Sequence, residues 1–165
     1  MIFLTVGSQF PFDRLVKAVD DLVGRGFISE ELFAQIGQNA YKPRNFEYSD
    51  YLEKSAFDQY VRQASALIGH AGIGTITVAL NNDKPLLAMP RLKRFREVVN
   101  DHQVDIARRF SELGYILAAY DTEELPSVVF KLKSFVPAER KAEPEKVADR
   151  IVRFLNSLTP EKSDA

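Results

Sequence analysis

The sequence contains no cysteine and no tryptophan, and it has only two histidines. The lack of cysteine excludes disulfides, cysteine-ligated zinc sites and thiol catalysis. His70 and His102 are too few for a histidine-rich metal site. No apolar run approaches the ~20 residues of a membrane-spanning helix. The opening MIFLTVG is too short for a signal peptide and lacks a basic leader, so we expect a soluble, cytoplasmic domain.

The charge balance is almost neutral, with 22 basic against 23 acidic residues and a net charge of −1. This balance gives no global basic field that would attract nucleic acid. The 45% apolar and 27% charged composition is typical of a folded, globular chain. The 165 residues predict a single domain over 1–158, followed by a frayed tail at 159–165. Such a chain is small for an enzyme that binds two substrates by itself.

Short apolar strands alternate with helical patterns along the whole chain. Strands are predicted at 2–6, 31–37, 46–49, 66–68, 85–89 and 115–119. Helices are predicted at 11–24, 51–64, 73–80, 99–113 and 122–133, and from residue 144 onward. This alternation predicts parallel βαβ units with helices on both faces, which is a Rossmann-like, three-layer α/β domain with a mostly parallel sheet.

Ligands of such folds bind beyond the carboxyl ends of the strands, where the segment 69–75 is the most informative. Gly72 and Gly74 remove side chains where a strand turns into a helix, and Thr75 adds a hydroxyl. Backbone N–H groups at a helix N-terminus are suited to a pyrophosphate. The alternative is that the glycines only make a tight turn. The order G-x-x-G-x-G matches neither the dinucleotide fingerprint nor a P-loop, and Gly7 and Ser8 form a weaker candidate after the first strand.

A basic segment follows the fifth predicted strand. It contains Arg91, Lys93, Arg94 and Arg96, which would form a positive rim beside the glycine turn or only a solvated loop. Asn100 and Gln103 have the spacing of a capping box at a helix start. His102 is a weak candidate for a general base because no partner for it is evident. His70 is better suited to ordering the glycine turn through backbone hydrogen bonds than to chemistry.

Three motifs together resemble the glycosyltransferase family 28 C-terminal domain. They are GHAGIGTI at 69–76, KPLL at 84–87 and DHQ at 101–103. The resemblance extends over nearly the whole chain, and it is strongest to stand-alone members. Those members include donor-binding subunits of the dolichol-linked GlcNAc transferase and of bacterial exopolysaccharide and capsule transferases. The start of the chain and the pattern of residues 90–103 favour the bacterial type.

The resemblance implies the C-terminal half of a GT-B glycosyltransferase that holds a UDP-sugar and needs no metal or other cofactor. Gly72, Gly74 and Thr75 would contact the donor phosphates, and Asp101, His102 and Gln103 would contact the donor sugar. A membrane-associated subunit would bind a polyprenyl-diphosphate-linked acceptor and supply the catalytic base. No catalytic residue is therefore expected in this chain.

One position departs from the family pattern. Related domains carry an acidic residue on the helix after the glycine turn, where it can hold the ribose hydroxyls, and Val78 occupies that place here. The departure leaves open a second role, that of a non-catalytic subunit that stabilises or activates its partner. A nucleotide-sugar epimerase or dehydrogenase is disfavoured, because the chain has neither a dinucleotide fingerprint nor a Tyr-x-x-x-Lys pair.

Overall fold

The structure is a computed structural model that describes residues 1–139 and 144–158. The predicted tail at 159–165 lies outside these described residues. The six strands are β1 (Ile2–Thr5), β2 (Leu32–Gln35), β3 (Glu47–Ser49), β4 (Ala66–His70), β5 (Leu86–Met89) and β6 (Leu117–Ala118). The α-helices are α1 (Asp13–Gly24), α2 (Lys54–Gln63), α3 (Ile73–Asn81), α4 (His102–Glu112), α5 (Leu125–Leu132) and α6 (Pro144–Leu158).

All six strands lie in one sheet in the order β3-β2-β1-β4-β5-β6, and every pair is parallel. The prediction of a Rossmann-like sheet is confirmed. The chain runs outward from β1 to β3 and returns to β4 on the other side of β1. Thr5 pairs with Gly69 at the carboxyl ends of these two strands. The order therefore reverses between β1 and β4, which is where open parallel sheets bind their ligands.

Side-chain alternation along β1 divides the core into two layers. Ile2 and Leu4 face one cluster, which includes buried residues of α1 and α5. Phe3 faces the other cluster, which includes buried residues of α2, α3 and α4. Both faces of β1 are covered, so all four of its residues are buried. This explains why three of the four are large and apolar.

Several predicted helices differ in their bounds from those in the structure; α1 begins at Asp13 rather than at residue 11, and α2 at Lys54 rather than at residue 51. The chain between residues 122 and 133 begins with a short 3₁₀ turn at Thr122–Glu124 before α5. Helix α4 begins at His102 rather than at residue 99, and Asp101 is its N-cap without a side-chain capping bond. The predicted capping box is wrong, because the Gln103 side chain accepts a hydrogen bond from the backbone N–H of Arg91 instead.

The helical spacing of Ile106, Phe110 and Leu113 predicts that all three face the core, and this is only partly correct. Ile106 and Phe110 pack against the second core cluster, whereas Leu113 is 40% exposed. The fully covered positions of this helix are Gln103 and Ala107. The last helix, α6, forms as predicted, and its apolar side chains at Ile151, Phe154 and Leu155 are exposed.

Candidate functional site

A cavity of about 570 Å³ lies at the carboxyl edge of the sheet, between the loops that follow β1, β4 and β5. Eight of the nine residues predicted to bind the donor line it. They are Gly7, Ser8, Gly72, Gly74, Thr75, Arg91, His102 and Gln103. The ninth, Asp101, lines a neighbouring cavity of about 730 Å³, which His102 also borders. The fold thus brings together residues from three separate segments of the sequence.

The glycine turn forms the N-terminus of α3, with Gly72 as its N-cap. The N–H of Ile76 donates to Gly72 O at 3.1 Å, so the N–H groups of residues 73–75 precede this bond. Such leading N–H groups have no partner within the helix and carry the positive end of its dipole. A Cβ added at Gly74 would meet no other atom within 4 Å, so this glycine leaves open space beside them.

His70 lies immediately behind this turn. Its Nδ1 accepts the Gly72 N–H at 2.9 Å, and its Nε2 lies 3.1 Å from the hydroxyl of Thr75. Burial, aided by the positive charge of Arg91, lowers the pKa of His70 to about 3. The ring is therefore neutral at physiological pH, and the prediction that His70 orders the glycine turn is confirmed.

The loop after β1 approaches the same imidazole. Gly7 has a φ of +76°, which favours glycine, and an added Cβ there would lie 2.7 Å from His70 Nε2. An added Cβ at Gly72 would overlap the same ring. Both glycines are thus required by their contact with His70, unlike Gly74.

Arg91 is buried and holds the loop after β1 in place. Its guanidinium donates to the carbonyl oxygens of Val6 and Phe10, both at 2.6 Å, and to that of Pro11 at 3.4 Å. Arg91 is only 3% exposed, so the prediction that it belongs to a positive rim of four basic side chains is wrong. The other three basic side chains of the segment are exposed.

The charge of Arg91 still acts on the cavity. Burial lowers the pKa of Arg91 to about 10, while Glu97 acts in the opposite direction. The guanidinium therefore stays protonated at neutral pH, in surroundings where a charge is weakly screened. A positive charge thus lies in the cavity wall without being exposed on its rim.

A second arginine, not identified from the sequence, holds the loop after β5. Arg14 forms a two-point pair with Glu97, with Nε–Oε1 and Nη2–Oε2 distances of 2.9 Å. Glu97 also accepts the N–H of Leu92, and Arg14 stacks 4.6 Å from the centre of the Phe95 ring. The partners are 83 residues apart, so no local pattern could have predicted the pair.

The beginning of α4 presents polar groups to both cavities. The Oε1 atom of Gln103 accepts the Arg91 N–H at 3.1 Å, so its amide nitrogen is the group left to donate. The Nδ1 atom of His102 contacts Asn100 Oδ1, which is the partner that the sequence did not reveal. Asp101 accepts the N–H of Lys93 at 2.7 Å through one oxygen.

The cavity is also lined by Val78 and by three residues that the sequence did not single out, which are Gln35, Phe57 and Val98. Gln35 is buried at the end of β2, and its Oε1 accepts the Leu52 N–H at 3.1 Å. A glutamine that ends an apolar strand was the only available signal for this position. Val78 brings an apolar surface to the place where an acidic side chain was expected.

Among residues 1–139 and 144–158, no three His, Asp or Glu side chains are grouped so that they could hold a metal ion. In the same ranges, no helix has the length and apolarity needed to cross a bilayer.

The family model of the glycosyltransferase family 28 C-terminal domain matches residues 1–154. The chain belongs to this family. Its relatives include the UDP-N-acetylglucosamine transferase subunit ALG13 of Candida albicans, which is 29% identical over 93 residues. That match covers 56% of this chain but only 30% of the Candida protein. The ALG13 subunit of Eremothecium gossypii is 27% identical over 161 residues, covering 75% of this chain and 77% of the relative.

Solved structures share the fold. The solution structure of ALG13 has a TM-score of 0.59 at 21% identity, and the match covers 91% of this chain and 93% of that one. MurG of Acinetobacter baumannii has a TM-score of 0.56 at 18% identity, and this chain spans 49% of it. The domain therefore has the fold of one half of a GT-B glycosyltransferase. The family model makes the chain a glycosyltransferase family 28 C-terminal domain, and its relatives include ALG13 subunits.

Proposed function

We propose that this chain is the UDP-sugar-binding subunit of an inverting hexosyltransferase. The observation that carries the proposal is that several hydrogen-bond donors and a positive charge lie together where the strand order reverses between β1 and β4. The N-terminus of α3, Thr75 and Arg91 line the same cavity as Gly74, beside which there is open space. A diphosphate matches this arrangement, because it offers negative oxygens to several donors at once.

The same groups would assist the reaction. When the bond between the sugar and UDP breaks, negative charge develops on the leaving phosphate oxygen. Preorganised N–H donors and a buried cation stabilise such a charge without moving. The chain's own residues thus supply the stabilisation that a divalent cation gives elsewhere, and we propose that no metal or other cofactor is required.

The donor sugar would lie toward α4. Gln103 can donate its amide N–H groups, and Asp101 and His102 lie at the border with the second cavity. Side chains of this type hydrogen-bond sugar hydroxyls. Because the relatives are named as UDP-N-acetylglucosamine transferase subunits, UDP-N-acetylglucosamine is the first donor to test.

The acceptor would be a sugar on a polyprenyl diphosphate, bound by a separate membrane-associated subunit. We place the reaction in bacterial surface-polysaccharide synthesis, with this chain in the cytoplasm and recruited to the inner membrane face by its partner. The catalytic base would come from that partner. The support is the match to ALG13, which is itself named as a subunit.

A second candidate is a non-catalytic subunit that stabilises or activates the same partner. Val78 favours it, because this apolar side chain lines the cavity where a ribose-binding carboxylate was expected. The exposed apolar side chains of α6 would then serve as part of the interface.

Titration calorimetry with UDP and UDP-N-acetylglucosamine distinguishes the two candidates. The donor-binding role predicts saturable binding of both by the chain alone or with its partner, and a large loss in Gly74→Leu, which fills the open space. Thr77→Val is the matched control, because Thr77 is exposed on the same helix and does not line the cavity. A folded chain that binds neither compound in either state would support the accessory role.

A further inference from the structure

His70 joins the two loops of the cavity at a single ring. It accepts from Gly72, contacts Thr75, and lies against the positions where Gly7 and Gly72 lack side chains. These contacts determine which atoms of His70 and Thr75 carry a proton and which accept one. The assignment gives His70 a role beyond filling space.

The tautomer follows from the donor at one end. A backbone N–H can only donate, so Nδ1 of His70 must carry a lone pair toward Gly72. Since the ring is neutral, its one proton is on Nε2, which faces the hydroxyl oxygen of Thr75 at 3.1 Å. Nε2–H therefore donates, and Thr75 Oγ1 accepts.

The hydroxyl proton of Thr75 is thereby directed away from the histidine. Thr75 Oγ1 has no second hydrogen-bond partner among the described residues, and the side chain is 8% exposed while lining the cavity. A hydroxyl that already accepts one hydrogen bond is a better donor to an anion, because consecutive hydrogen bonds polarise one another.

We propose that His70 is a positioning residue for phosphate binding. As a neutral ring, it orients the Thr75 hydroxyl as a donor to the diphosphate while spacing the loops of Gly7 and Gly72. The inference rests on the proposed function, because it names how that same site recognises phosphate. His70 acts through Thr75 and not by contact with the ligand.

A double-mutant cycle with UDP and uridine tests the coupling. Thr75→Val removes a donor to a charged group, so UDP affinity should fall about ten- to hundredfold. In a His70→Asn background, Oδ1 still accepts from Gly72 but nothing donates to Thr75. In that background, Thr75→Val should lower UDP affinity less than about threefold. Thr75→Ser should restore most of the affinity, and uridine, which has no phosphate, should bind all variants alike.

The chain has only two histidines, so nitrogen-15 NMR reads the tautomer directly in the wild-type protein. The expected spectrum shows His70 as the Nε2–H tautomer from pH 8 to pH 5, with and without UDP. A ring that becomes positively charged when UDP binds would mean direct contact with the phosphate, and it would overturn the positioning role. So would the Nδ1–H tautomer.

The outcomes separate the two proposals. If the wild-type chain binds UDP but Thr75→Val lowers UDP affinity by the same factor with His70 present and in the His70→Asn background, only the inference is overturned. A wild-type chain that binds no UDP, alone or with its partner, overturns the proposed function and this inference with it. If His70→Asn does not fold, His70→Gln replaces it: its amide can reach Thr75 and donate to it, so Thr75→Val should then lower UDP affinity about as much as in the wild type, and a loss of less than about threefold would overturn the inference.

Discussion

The guanidinium of Arg91 lies 2.6 Å from the carbonyl oxygen of Val6, and this bond ties the end of β5 to the loop after β1. The two residues are 85 positions apart in the chain. The bond is buried, so loss of the arginine would leave a buried acceptor without its donor. One side chain therefore fixes the spacing of two loops that border the cavity.

Arg91→Met should destabilise the fold because it leaves the carbonyls of Val6, Phe10 and Pro11 without their donor. We expect a loss of about 2–4 kcal/mol in the free energy of unfolding, measured by urea denaturation. Arg94→Met is the matched control, since the exposed Arg94–Asp121 pair should contribute about 0–1 kcal/mol. Equal losses in the two variants would contradict the role given to Arg91.

Alanine substitutions at Gly72 and Gly74 should have different effects on thermal stability. A methyl group at Gly72 overlaps the His70 ring, whereas one at Gly74 meets no atom within 4 Å. We expect Gly72→Ala to lower the melting temperature. Gly74→Ala should leave it unchanged or stabilise the helix by up to ~1 kcal/mol, since alanine is the better helix former. Thermal unfolding of both variants checks this, and a matching loss in both would contradict it.

The partly buried His70 should make stability depend on pH. Its pKa is about 3 in the folded chain, against 6.5 as the ordinary value. Between these values the unfolded chain binds a proton that the folded chain does not, so stability falls as pH falls below 6.5. The contribution is about 1.4 kcal/mol per pH unit.

Denaturant titrations of wild type and His70→Asn from pH 7.5 to pH 4.5 measure this effect. The variant should lack that part of the slope, so the stability difference between the two proteins should change by about 2–3 kcal/mol over the range. Thr77→Val, which alters no titratable group, should keep the wild-type slope. Parallel curves for wild type and His70→Asn would show that His70 is not held neutral.

Val78→Glu tests the departure from the family pattern. Because Val78 lines the cavity, a carboxylate there should reach the ribose hydroxyls and strengthen UDP binding about tenfold. Val78→Gln is the control of similar size without the charge. Weaker binding in Val78→Glu, measured by calorimetry, would place the ribose elsewhere in the cavity.

Local sequence patterns were sufficient to predict the helices and strands and many residues of the candidate site. The apolar runs and the turn residues after them predicted six strands in nearly the right places, most clearly the buried strands β1, β4 and β5. The glycine turn was visible for a steric reason: Gly72 lies against the His70 ring, where a side chain would overlap it. Most predicted donor-binding residues border one cavity because parallel strands bring their carboxyl ends to one edge.

Side chains with distant partners were not predictable in this way. Arg91 was placed on a positive rim, yet it turns inward because three carbonyl oxygens of the loop after β1 need a donor. The spacing of Asn100 and Gln103 suggested a capping box, but the amide of Gln103 is engaged by the Arg91 N–H. No short-range sequence pattern predicts the Arg14–Glu97 pair, because the two residues are 83 positions apart.

The sequence by itself determined the family, the layered α/β architecture and the place of the glycine turn, since these depend on residue type and short spacing. The tertiary structure decided which polar groups are free to meet a ligand. A donor or acceptor within the fold is available only when no partner from another segment has already taken it. That condition assigns His70 and Arg91 to the support of the cavity and leaves the Thr75 hydroxyl at its surface.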